Sequence, residues 1–337
     1  SGGGVLFGRG REQARVQQIE GLTKIPLPPL AVGDELVVPK INFHPTDPYI
    51  TPNASFYRID TALSFPRVDR EKWKLRIHGL VEREKSFSMD DLLALPQVEK
   101  IITLCCVSNQ VGGPLIGNAV WRGVLLKDVL ESCGIKKNAQ QVFSTSLDGW
   151  TSGFPVSAAM DGRDALIAIG MNGQSLPLMH GYPARLVVPG LYGYVSATKW
   201  LSEINITTWS EEQGYWIPRG WSRDAPVKTQ SRIDVPRQGE SIPAGKFRLA
   251  GVAWAQHTGV ERVEVRIDRG AWQTCDLGVD LTDDAWRQWI FDWDATAGEH
   301  TIQVRTTDKS GYIQTEEVRR VDPDGATGWH TRTVTVI

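Results

Sequence analysis

Residues 101–118, IITLCCVSNQVGGPLIGN, place two adjacent cysteines where a β-branched run gives way to a glycine-rich loop. Ile101, Ile102 and Thr103 predict a short buried strand. Ser108, Asn109, Gly112, Gly113, Pro114 and Gly117 predict a long polar loop after it. Side chains alternate along a strand, so Cys105 and Cys106 point to opposite faces, one toward a core and the other toward the loop side. A thiol held at a strand tip, beside glycines that let backbone N–H groups approach a ligand, sits where chemistry can be done. The ordinary alternative is a buried cysteine serving as a small hydrophobe. What else converges on this loop decides between the two.

A chain of 337 residues exceeds one typical domain, and two are expected. The net charge of −2 gives no reason to expect nucleic acid or an anionic surface as partner. Cys105, Cys106, Cys133 and Cys275 are too few and too scattered for a disulfide framework, and their spacing matches no zinc pattern. No apolar run approaches the roughly 18 residues of a membrane span. The opening SGGG and the charged, Gln-rich stretch to Glu20 read as a cloning scar or as a linker behind a membrane anchor or export signal. An extracytoplasmic, membrane-anchored protein is the expectation.

Along the chain, residues 1–50 read as an extended N-terminal segment, proline-rich from Pro26 onward. Residues 51–228 read as the catalytic domain. Within it, Trp73–Gly79 alternates like a strand, and Ser88 with Asp91 forms a capping box that opens a helix ended by Pro96. Leu125–Ser132 predicts a second helix, stopped by Gly134. Val142–Ser146 and Ala165–Gly170 predict strands, and Met171–Gln174 an Asn-Gly hairpin turn. Past Ile233 short alternating runs alternate with Gly/Asp turns and little looks helical, which predicts a β-sandwich over residues 229–337. Six of the thirteen tryptophans fall there, favouring a packed core or an interface. No His, Cys or carboxylate cluster in this second domain suggests a site.

Three loops of the first domain carry unpaired chemical groups: Asn53–Asp60, Cys106–Asn118 and His180–Lys199. A thiolate together with Arg58, Arg185, His180 and Lys199 suits an anionic ligand plus a soft metal. A cysteine nucleophile with His180 as its base is the rival chemistry, and spacing alone leaves both open.

These motifs resemble the sulfite-oxidase-type molybdenum enzymes. Thr103-Leu104-Cys105-Cys106-Val107-Ser108-Asn109 is similar to that family's Cys-x-Gly-Asn loop, with Ser108 in place of the glycine. Gly117-Asn118-Ala119-Val120-Trp121-Arg122-Gly123-Val124 resembles its Gly-x-Ala-x-Trp-x-Gly-Val. The run Leu176–Gly190, containing HGYPAR, resembles its Leu-Pro-x-x-His-Gly-x-Pro-x-Arg, and Lys199-Trp200-Leu201 its closing Lys-Trp-Leu. The resemblance spans about Pro52 to Ile337. It implies an α+β mixed molybdopterin domain followed by an all-β immunoglobulin-like sandwich that dimerises, and a two-electron oxygen-atom-transfer enzyme holding molybdenum on molybdopterin. Cys106, three residues before Asn109, matches the metal ligand. Asn53, Tyr57 and Arg58, Asn109, Thr145, His180, Arg185 and Ser196-Ala197-Thr198-Lys199 match cofactor-binding positions.

The departures bear on the substrate. Trp150 stands where sulfite oxidases carry a tyrosine, and Tyr194 or Val195 where they carry an arginine, so the oxyanion clamp is incomplete. A substrate larger and less charged than sulfite is expected, such as a sulfoxide or N-oxide. True sulfite oxidation is the alternative, and a cysteine hydrolase or redox thiol protein the remaining one. No His-Pro-Gly-Gly haem motif occurs, since Thr46-Asp47 follows His44-Pro45. No haem and a separate electron-transfer partner are therefore expected.

Overall fold

The computed structural model describes residues 25–30, 36, 38 and 43–337. The linker expected before Glu20 and much of the proline-rich segment lie outside the described residues. Of those described, about 40% are in strands and 10% in helices, arranged in four sheets. This corrects the expected α+β mixture: the protein is mostly β. The helices at Met89–Ala94, Leu126–Cys133, Val156–Met160 and Gly193–Ser196 do not exceed 8 residues. At 1.5 Å per residue the longest spans about 12 Å, too short to cover a sheet as a layer. Pro96 stops the first, because the residue before a proline is pushed out of helical geometry, and Gly134 at φ 73° stops the second.

In chain order the first half runs β1 (Lys74–Gly79), β2 (Lys85–Ser88), β3 (Val98–Cys105), β4 (Ile116–Leu125), β5 (Gln141–Ser146), β6 (Thr151–Pro155), β7 (Leu166–Met171), β8 (Gln174–Ser175), β9 (Arg185–Val187) and β10 (Leu201–Thr207). One sheet has the order β2-β1-β10-β5-β6, with β1 and β10 parallel. The other has the order β3-β4-β7-β8, with β9 on β7. Strand β3 ends by pairing Cys105 with Ile116 of β4, so residues 106–115 form the loop between them. Local signals hold where chemistry is local. Ser88 and Asp91 bond reciprocally, at 2.7 and 3.2 Å, across the start of their helix. Asn172 and Gly173 take positive φ (52° and 77°), which a two-residue hairpin between β7 and β8 requires.

The second half consists of β11 (Gln230–Val235), β12 (Ser241–Ile242), β13 (Gly245–Trp254), β14 (Val260–Ile267), β15 (Gln273–Thr274), β16 (Asp276–Leu277), β17 (Arg287–Ala295), β18 (Gly298–Asp308) and β19 (His330–Val336). They form a four-stranded sheet, β11-β13-β17-β16, and a five-stranded one, β12-β19-β18-β14-β15. Ile233, Leu249, Trp289, Val263, Ile302 and Val334 meet between the two sheets in one apolar core. A separate cluster joins the halves. Ile101, Cys105, Val107 and Ile116 pack there with Val252, Trp254, Ala285 and Trp286. The cysteine loop is therefore seated on the second half of the chain.

Candidate functional site

Cys106 is the first residue beyond β3, and it lines a cavity of about 820 Å³ counted out to the mouth. Cys105 points the other way, into the cluster shared by the two halves. The alternation along β3 thus sends two identical side chains to opposite environments. The Cys106 N–H donates to the Leu115 carbonyl at 3.0 Å, and the Asn109 N–H closes a turn on the Cys106 carbonyl at 3.0 Å. Burial pushes the Cys106 thiol above its ordinary pKa.

The buried lining of the cavity is cationic. Arg185 lies on β9, 5% exposed, and donates to the carbonyls of His180 (3.1 Å) and Ala197 (3.3 Å), with its guanidinium 5.0 Å from the Trp121 ring centroid. Among the described residues no carboxylate pairs with it. Burial lowers its pKa to about 10, which leaves it charged at neutral pH. Lys199 donates to Asp60 at 2.7 Å and to the Met179 carbonyl at 3.2 Å, and burial pulls it down to about 8. Arg58 reaches the same Asp60 at 2.8 Å. Lys199 and Arg58 therefore share one carboxylate, and Arg185 has none among the described residues. Burying charge without a partner is costly, so the arrangement favours an anionic ligand.

His180 donates from Nε2 to the Asn53 carbonyl at 2.8 Å, leaving Nδ1 as its acceptor. Burial, then the charges of Arg185, Lys199 and Arg58, lower its pKa to about 4. No hydrogen bond joins it to Cys106 among the described residues. A nucleophilic cysteine needs a lowered thiol pKa and an adjacent base. Here the thiol is raised and the imidazole is too weak a base, which argues against the cysteine-hydrolase alternative.

Of the residues singled out in the sequence, Tyr57, Cys106, Trp150, His180, Arg185, Tyr194, Ala197 and Lys199 line the cavity. Others are occupied by the protein itself. Asn53 bonds Asn172 (2.8 Å) and the Met171 carbonyl (3.3 Å). Asn109 lies on the Cys105 side, accepting from the Leu115 N–H at 2.9 Å. The Thr198 hydroxyl joins Ser144 (2.7 Å) and Ser152 (2.8 Å) in a buried triad, and Ser196 donates to the Tyr192 carbonyl at 3.0 Å. Thr145 is not among the lining residues, whereas Ser146, one step on along β5, is. Arg58 acts at one remove, through Asp60.

Asp60, Asn172 and Trp216 carry no sequence motif that marks them as site residues. Asp60 closes the Asn53–Asp60 loop, and nothing local in the sequence pairs it with Lys199. Asn172 was readable only as a turn residue, yet it ties the 51–53 loop to β4 by donating to the Thr51 carbonyl (2.9 Å) and accepting from the Val120 N–H (2.9 Å). Trp216 joins Trp150, Tyr194 and Ile59 on the more exposed lining of the cavity. Elsewhere, His44, Asp47 and Asp234 are the described residues close enough to hold an ion. There His44 Nδ1 already accepts from the Asp47 N–H at 3.0 Å, and its Nε2 faces Asp234 Oδ2 at 3.3 Å.

Residues 62–216 match the family described as the oxidoreductase molybdopterin binding domain. The chain is 30% identical over 306 residues to mitochondrial sulfite oxidase of Homo sapiens, covering 77% of this chain and 56% of that one. It thus spans little more than half of that relative's length. It is also 30% identical over 333 residues to sulfite oxidase of Gallus gallus, covering 84% of this chain and 72% of that one. Among solved structures, the sulfane dehydrogenase SoxCD from Paracoccus pantotrophus superposes with a TM-score of 0.72 at 24% identity, over 86% of this chain and 84% of that one. That likeness shows a shared fold.

Proposed function

Since this chain belongs to the sulfite-oxidase-type molybdopterin oxidoreductases, we propose that it is a molybdenum-pterin enzyme moving one oxygen atom and two electrons on a small substrate of low charge. The carrying observation is the polarity of a single cavity, which has a thiol and buried cations on its buried lining and aromatic rings on its exposed lining.

The donor set fits the cofactor. A thiolate is a soft ligand suited to a metal already bound by dithiolene sulfurs. Metal binding deprotonates a coordinating thiol, overcoming the burial that raises it in the free chain. Arg185, with carbonyls and a ring but no carboxylate around it, supplies a guanidinium fork for the pterin phosphate, and Lys199 a second charge. Neutral His180 offers Nδ1 to a donor on the pterin while its Nε2–H anchors it to Asn53. Phe56 and Tyr57 wall this end. When bound, the cofactor supplies two-electron oxygen-atom transfer; the protein binds it, orients it and limits water. Electrons are exchanged with a redox partner.

Substrate choice falls to the more exposed lining. Trp150, Tyr194 and Trp216 offer ring faces, and the Asp148 carboxylate stands beside them, accepting from the Trp150 N–H at 3.1 Å. Among the described residues no arginine joins that part of the lining to draw in a small dianion, and the carboxylate repels one. Rings favour a neutral or cationic organic group, as a sulfoxide or amine N-oxide carries. Steady-state assays on the loaded enzyme decide: sulfite with ferricyanide against sulfoxides and N-oxides with a reduced dye. Turnover of the organic oxides is expected, with weak sulfite oxidation that Trp150→Tyr does not restore. Sulfite turnover with a KM in the micromolar range usual for evolved pairs would return the protein to plain sulfite oxidation, and full activity without molybdenum would sink the reading entirely.

A further inference from the structure

Strand β3 is the outermost strand of its sheet, so its outer backbone groups have no strand partner. At Thr103, two residues before the cysteine pair, the second half of the chain supplies the partners. The Thr103 N–H donates to the Asp284 carbonyl at 3.0 Å, and the Thr103 carbonyl accepts from the Gln256 side-chain amide. Its hydroxyl accepts from the Trp286 N–H at 2.7 Å and donates to Asn118 Oδ1 at 2.9 Å. Gln256 lies in the turn between β13 and β14, while Asp284 and Trp286 lie in the loop before β17.

The far flank of the cysteine loop is gripped from the same side. Arg232 of β11 donates to the Gly113 carbonyl at 3.1 Å, and Asp234 holds that guanidinium in place. The His330 ring presses on Gly112, where an added Cβ would come within 2.2 Å of it. His330 is itself fixed, accepting from the Ile233 N–H at 2.8 Å. Between the two grips, Cys105 is buried against Val252, Trp254, Ala285 and Trp286.

We propose that the second half of the chain is the positioning element for Cys106, fixing the loop at Thr103 before it and at Gly112–Gly113 after it, with Thr103 the positioning residue of the first grip. Geometry at a metal ligand must hold to a fraction of an ångström, and a polar loop beyond an edge strand does not hold it unaided. The functional weight of the proposal rests on Cys106 being the metal ligand.

Thr103→Val keeps the β-branched volume but strands the Trp286 N–H and Asn118 Oδ1; Thr103→Ser keeps the hydroxyl. Hydrogen exchange is measured on the full chain made without cofactor, and molybdenum per chain on protein made with it. In Thr103→Val, peptides over 104–118 should exchange about tenfold faster, the scale of one lost buried hydrogen bond. Peptides of β17 and β18 should stay as in wild type, and molybdenum content should fall. Thr103→Ser should restore both. Gln256→Met removes only the amide that reaches Thr103 and must loosen the same peptides, which keeps the test alive if Thr103→Val does not fold. A folded variant of either kind with wild-type exchange over 104–118 overturns the proposal, as does a loosened loop with undiminished molybdenum. Wild-type protein that takes up no molybdenum would sink the proposed function instead, while the exchange arm still reports on the grip.

Discussion

Cys105 and Cys106 are adjacent, identical and both buried, yet they belong to different regions of the molecule. Cys105, 2% exposed, is enclosed by the apolar cluster that joins the two halves, with Asn109 Nδ2 3.8 Å from its sulfur. Cys106, 9% exposed, faces a cavity across from Arg185, Lys199 and His180. Burial raises both thiols, so neither is a ready nucleophile. The difference lies in what each sulfur can receive. One has neighbours that already fill its surroundings; the other has space and unsatisfied positive charge. A one-residue step along a strand thus takes the same side chain from an apolar cluster to a cavity.

The strongest way to break this contrast is Cys106→Ser. A hydroxyl is a harder and far less acidic ligand of nearly the same volume, so turnover should fall by more than the roughly 10–100-fold that a supporting residue costs. The melting temperature should scarcely move. Metal analysis beside steady-state rates checks this, and a Cys106→Ser enzyme within tenfold of wild type would remove Cys106 from the centre.

Next comes Arg185→Ala. Losing a charge-assisted fork should weaken cofactor binding by about 1.5–3 kcal/mol, read as pterin fluorescence per chain. In cofactor-free protein the same change removes a buried cation that lacks a carboxylate, so the unfolding midpoint should hold or rise. Full pterin occupancy in the variant would refute the role.

A smaller effect distinguishes the two flanks by acid. His180 on the cavity side and His330 on the second-half side are both lowered from 6.5 to about 4, mainly by burial. Both are neutral in the folded chain where the unfolded chain would bind protons. Stability is therefore full above about pH 6.5 and declines as pH falls toward 4. His330→Gln should remove about half of that slope in melting curves of the cofactor-free chain. Identical slopes with and without His330 would contradict its buried, neutral state.

Smallest is Cys105→Ser. Exchanging a thiol for a hydroxyl in an apolar cluster should cost on the order of 1 kcal/mol of stability and little activity, measured by denaturant unfolding and steady-state rates. If turnover fell as far as in Cys106→Ser, the two regions would not be distinct.

The residues that meet at the cavity were partly legible because several of them sit in local patterns: a thiol at a strand end, a His-Gly-x-Pro-x-Arg run, a lysine closing a glycine loop. The fold class was read less well. Apolar runs such as Ile101–Leu104 and Leu166–Met171 do not state how many helices will cover them, and here they pair with β4 and leave helices of at most two turns. Thr145 and Ser146 illustrate the finer limit, since a strand's alternation is visible in sequence but the face that meets a cavity is not.

By itself, then, the sequence determined what depends on neighbours a few residues away: the Ser88–Asp91 cap, the Asn172-Gly173 turn, the stop at Gly134 and the divergence of Cys105 from Cys106. Each follows from backbone sterics and side-chain reach within one turn or one pleat. Tertiary structure alone decided which distant groups share a charge or a bond. Lys199 finds Asp60 across 139 residues, Thr103 finds Trp286 across 183, and the Thr198 hydroxyl is spent on Ser144 and Ser152. Such pairings are selected by the packing of whole sheets and by the cost of leaving a buried polar group unpaired. That cost acts only once the chain has folded.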